Sequence, residues 1–65
     1  MASMLIIRGE LPPGEAAAFA QFLKRARLDD YQAKCPPHDR GEAERMEAAG
    51  ERLRQALVAA GIDPR

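Results

Sequence analysis

The segment DRGEAERMEAAGERLRQALVAAGIDPR, residues 39–65, decides how this chain is read, because it is long and periodic enough to be a helix on pattern alone. Met46, Gly50, Leu53, Leu57 and Ala60 recur at spacings of three and four, which sets them on one stripe of a 3.6-residue helix. Glu44, Arg45, Glu47, Glu51, Arg52 and Arg54 fall mostly on other faces. Asp39 followed by Glu42 has the spacing of a capping box, in which Asp39 accepts a free backbone N–H and Glu42 reaches back. The start is therefore predicted at Asp39 or Arg40. The stop is predicted near Ala60, since Gly61 can turn left-handed, Ile62 can fold back onto Leu57 and Pro64 cannot continue a helix. Glu42 and Glu44 near the start, with Arg52 and Arg54 in the second half, complement the helix dipole.

The rest of the chain must pack onto this helix. Sixty-five residues make one domain, 1–65, and a domain of this length buries only ~60% of its unfolded surface, so association would help it. Ten basic and ten acidic side chains cancel to a net charge of zero, which argues against non-specific binding to nucleic acid or to an anionic membrane. One cysteine excludes an internal disulfide framework. The N-terminal apolar run is too short for a signal peptide or a membrane span. A soluble cytoplasmic protein is expected.

Ser3–Arg8 is a short run of mostly branched apolar residues closed by Gly9, the pattern of a strand. Its backbone needs a partner, and nothing else in the chain reads as a strand. Pairing of residues 4–8 with their copy in a homodimer is expected, the alternative being an arm laid across the helices. Pro13 then suits the first turn of a helix running to about Arg27, with Ala16, Phe19, Phe22, Leu23 and Ala26 on its apolar side. Ala16, Ala20, Ala26, Ala49, Gly50 and Ala56 permit close approach of the two helices. Between them, Leu28–Lys34 is read as one short helical turn capped by an aspartate and anchored by Leu28 and Tyr31. The predicted fold is mainly α: a short N-terminal β-strand, then an antiparallel pair of amphipathic helices (β-α-α) with that turn between them.

Few residues carry chemistry. Cys35 and His38 form half of a zinc site, and completion would need a second subunit and Asp29 or Asp30, so no metal or other cofactor is predicted. A Cys/His nucleophile in a proline-stiffened loop has no enclosed pocket or oxyanion hole, and Asp29 and Asp30 are neighbours that point different ways. No catalytic residue is assigned. Lys24, Arg25, Arg27, Asp29, Asp30 and Tyr31 remain, a mixed-charge surface with one aromatic at the junction of two elements, which suits a protein partner better than phosphates.

The blocks AFAQFLKRARLDDYQ (18–32) and EAERMEAAGERLRQALVAAGIDPR (42–65), with the apolar run before them, resemble a family of small uncharacterised proteins from proteobacterial plasmids, phages and integrative elements. The AQFLKR and AGERLR motifs carry the likeness, and the loop Cys35–His38 departs from it. The resemblance implies a mobile-element setting and no established activity. The expected function is non-enzymatic docking on a larger protein, as an inhibitor of a host defence complex in the manner of an anti-CRISPR, or as an accessory factor. The alternative is a dimeric ribbon-helix-helix DNA-binding regulator or antitoxin, whose strand–helix–helix order agrees. Met4–Ile7, however, offers apolar side chains where such a ribbon reads bases.

Overall fold

In the computed structural model, which describes residues 3–62, an extended arm leads into three helices: α1 (Pro13–Arg25), α2 (Leu28–Gln32) and α3 (Arg40–Ala59). The fold is mainly helical. α1 and α2 each pack on α3 and not on one another, so α3 is the element on which the other two depend.

The ends of α3 follow local chemistry. The Asp39 carboxylate accepts the Glu42 backbone N–H at 3.0 Å, which satisfies one of the free donors of the first turn. At the other end Gly61 adopts φ 97°, the left-handed region that a residue without Cβ enters at no steric cost. The Gly61 N–H donates to Val58 O and the Ile62 N–H to Leu57 O, each at 2.9 Å, the bond pair of a Schellman motif. Pro64, also invoked for this stop, lies outside the described residues.

α1 begins with Pro13 in its first turn, where the missing N–H has no intrahelical partner to lose. It ends at Arg25, two residues before the expected limit, because Ala26 turns extended (φ −67°, ψ 135°). α2 starts at once. The Asp30 carboxylate reaches back to accept the Arg27 backbone N–H at 2.8 Å, and Leu28 and Tyr31 are half-buried, as anticipated.

Two expectations are corrected. Among the described residues there is no strand: Met4–Arg8 is extended but unpaired, and Met4, Leu5, Ile6 and Ile7 are 77%, 83%, 92% and 77% exposed. The fold is three helices behind an arm and not β-α-α, because strand character needs a neighbouring strand and the described residues hold none. The second correction concerns the buried stripes. α1 buries Ala16, Ala20 and Leu23, and α3 buries Ala43 and Gly50. Phe19, Phe22, Met46 and Leu53 stay largely exposed, Leu57 is half-buried and Ala60 is exposed. Small residues let the helix backbones approach, and the approach leaves the larger side chains on the flanks of the contact.

The directions of the helices follow from what they share. Phe19 of α1 lines one groove with Leu53 and Leu57 near the end of α3, and Leu23 and Lys24 line another cleft with Glu44 and Glu47 near its beginning. α1 and α3 therefore run in opposite directions.

Gly50 is the tightest point of this contact. A Cβ built there would lie 2.5 Å from the Tyr31 hydroxyl oxygen and 3.4 Å from Leu23 Cδ2. Alanine would otherwise be favoured over glycine inside a helix by about 1 kcal/mol, so the phenol oxygen opposes a substitution that α3 itself would welcome. Gly50→Ala is expected to destabilise the wild type by about 1 kcal/mol, whereas the same change in a Tyr31→Phe background is expected to be neutral or stabilising. Thermal midpoints of the four proteins in that cycle check it; a Gly50→Ala penalty of equal size in both backgrounds would show that the hydroxyl is not the obstacle.

Candidate functional site

Tyr31 is the hinge of the site. The cap at Arg27 and Asp30 sets the start of α2, and the short helix then delivers the Tyr31 ring onto Gly50 of α3. Burial pushes the Tyr31 phenol above its ordinary value, and the carboxylates of Glu47, Asp30 and Glu51 push it the same way.

Around it opens a cleft of about 440 Å³ lined by Leu23, Lys24, Tyr31, Glu47, Glu51 and Arg54, among others. A second depression adjoins it, where Lys24, Arg27 and Asp29 meet Glu47. The six residues singled out in the sequence are thus divided. Lys24, Arg27, Asp29 and Tyr31 share one continuous surface, while Arg25 and Asp30 line a separate depression with Phe22. Asp30 is moreover engaged in capping α2, which gives it a structural task.

Sequence reasoning missed the wall that α3 supplies. Glu44, Glu47, Glu51 and Arg54 follow one another at spacings of three, four and three, which is a charged stripe on the flank of Gly50 that faces α2. That spacing was available as a signal. Arg54 Nε donates to Glu51 Oε2 at 2.9 Å, and Gln55 Nε2 lies 3.4 Å from Glu51 Oε1. The hydrogen bonds from Arg54 hold the Glu51 carboxyl below the usual range, and Glu51 in turn raises Arg54. The pair is solvent-exposed, so its worth lies in fixing the two side chains and not in stability. Arg40 and Glu44 pair similarly at 3.3 Å on the first turns of the helix.

A different surface lies on the other flank of α3. Ile7, Leu11, Phe19, Leu53, Ala56 and Leu57 line a groove of about 330 Å³, and the Phe22 ring stacks on Phe19 with centroids 5.9 Å apart and planes 8° from parallel. The sequence placed Phe19 and Leu53 in the core; they line an open apolar groove.

The Cys35–His38 loop borders the charged surface through Asp29, which lines a further depression with Cys35 and Pro37. The Cys35 thiol faces Met46 Sδ at 3.4 Å and His38 is exposed. Among the described residues no group of three or more His, Cys, Asp and Glu is arranged to hold a metal ion. Glu42 does not complete the capping box; its carboxylate lies beside the Cys35 thiol. No helix among the described residues is long and apolar enough to cross a membrane.

A protein-family model described as a family of unknown function (DUF7706) matches residues 1–65, and the chain belongs to that family. No curated protein and no solved structure matches it.

The loop chemistry is open to a direct check. Burial raises the Cys35 thiol above its ordinary value, with Glu42 and Asp39 adding to the effect against a lowering by Arg45. A raised thiol carries less thiolate at a given pH, and the thiolate is the nucleophile. Alkylation of Cys35 at mildly alkaline pH is expected to run several-fold slower than that of an unstructured cysteine peptide, and faster in Glu42→Gln than in wild type. A wild-type rate at or above that of the peptide would contradict the assignment.

Proposed function

We propose that this member of the DUF7706 family is a non-enzymatic binding protein that docks its charged face on a larger protein partner. The face comprises Lys24, Arg27, Asp29 and Tyr31 with Glu47, Glu51 and Arg54. The observation that carries this reading is the composition of the cleft around Tyr31. Both signs of charge line it, from all three helices and the joint between α1 and α2, around the single phenol of Tyr31. Alternating charges reject wrong partners and fix orientation more than they add raw affinity. The cleft is open, which suits a protruding segment of a folded partner better than a small molecule that must be enclosed.

The resemblance to small proteins of mobile elements sets the kind of partner. A chain of 65 residues with no reaction of its own acts by occupying a surface of a larger complex, and inhibition of a host defence assembly is the form of that action we favour. The ribbon-helix-helix regulator is the reading we favour less. Its ribbon has no counterpart among the described residues, and α2 with its following loop stands where that fold expects a short turn. A zero net charge also gives no phosphate-driven affinity.

Charge reversal tests the proposal. Arg27→Glu and Glu47→Lys are compared with wild type for capture of a partner from the native host, and for binding to random duplex DNA at two salt concentrations. Both reversals are expected to weaken partner capture at least tenfold with helicity intact, while DNA binds weakly or not at all. DNA binding with a steep salt dependence that Arg27→Glu removes, or capture unaffected by either reversal, would overturn the assignment of this face.

A further inference from the structure

The chain is under-buried for its size. A compact monomer of 7.1 kDa is expected to expose about 4,100 Å², and this one exposes 5645 Å². Its Cα radius of gyration is 13.0 Å against about 11 Å for a compact domain of this length. The hydrophobic core consists of Ala16, Ala20, Leu23 and Ala43, and no large side chain among the described residues is fully buried. The difference of about 1,500 Å² exceeds the ~800 Å² that each partner gives up in an ordinary specific interface.

The uncovered surface is apolar and continuous from the arm to the helices. Ile7 and Leu11 wall the groove that Phe19, Leu53 and Leu57 floor, and Met4, Leu5 and Ile6 run on beyond it with nearly all their surface in water. Pro12, at φ −57° and ψ 146°, joins the arm to Pro13 of α1, and two successive prolines stiffen that joint. Residues 7–11 thus border the domain's own groove, and Met4–Ile6 continue past it with most of their surface in water.

We propose that this face is covered by a second copy of the chain. In the resulting two-fold dimer the Met4–Ile6 segment of each protomer lies along the groove of the other. A second copy fits on three counts. A net charge of zero sets no repulsion between identical chains. The arm and the groove are complementary in chemistry and belong to the same surface, as an isologous contact requires. An interface of ordinary size fits within the excess area. The charged cleft lies on the other flank of α3, so dimerisation leaves it open on both protomers.

Sedimentation between about 1 and 200 µM, with thermal melting over the same range, tests this. The wild type is expected to show twice the chain mass and a midpoint that rises with concentration. Ile6→Asp is the decisive variant, since a side chain 92% exposed in the protomer can be changed without harm to the protomer's own fold. It is expected to weaken association about 100-fold, because burying an unpaired carboxylate is costly, and to abolish the concentration dependence of melting. Leu53→Asp is expected to do the same, and Arg52→Glu, on the outer side of α3, to leave the dimer unchanged. A monomer over the whole range, or a dimer that tolerates Ile6→Asp, would overturn the proposal. Neither result touches the charged-face reading, which is tested on different residues.

Discussion

The fold depends on the meeting of Tyr31 with Gly50 at the middle of α3, where there is no room for a Cβ beside the phenol oxygen. A glycine inside a twenty-residue helix is costly on its own terms, and its place is explained by what it admits: the phenol of α2 and the Leu23 side chain of α1, both close to where its Cβ would stand. Both of the contacts that make this a folded unit converge on that residue. The alanines at 16, 20 and 43 serve the same purpose around it, and their smallness brings helices together at the expense of buried volume.

That compromise explains the division of the surface. Where two helices meet through small residues, the large side chains that would have filled a wider core are left along the flanks. On one flank these are Phe19, Leu53 and the arm, which are apolar. On the other, α3 presents Glu44, Glu47, Glu51 and Arg54. A thin core thus goes with two chemically opposite surfaces, one suited to excluding water and the other to discriminating among partners.

What the sequence disclosed and what it concealed separate along the same line. Asp39, Gly61 and Pro13 act on their own few residues, and helix boundaries set by such local chemistry were readable to within two residues. The buried stripes were readable only in part: Ala16, Leu23 and Gly50 are buried as their spacing suggested, whereas Met46 and Leu53, read on the same stripe as Gly50, are not, and Ala43 takes their place. Which residues are buried depends on the shape of the opposite helix. Met4–Ile7 misled for a related reason: branched apolar residues describe a segment that fits a pleated surface, and no such surface exists within one chain. Of the predicted functional residues, Lys24, Arg27, Asp29 and Tyr31 were brought together, whereas Asp30 proved to be a cap. The acidic wall from α3 was overlooked because charges on an amphipathic helix are ordinarily just its wet side.

α2 touches α3 and not α1, and it is only five residues long. Helices so short are not stable alone, so α2 persists only while Tyr31 and Leu28 hold it in place. Its detachment would break neither the caps of α3 nor the contact between α1 and α3. The amides of residues 28–34 should accordingly exchange with solvent through partial opening, at a lower free energy than those of α3, whose exchange requires the whole domain to come apart. Asp29 and Tyr31 belong to that unit, so a partner gripping them would also hold α2 against opening, and part of its binding energy would go into doing so.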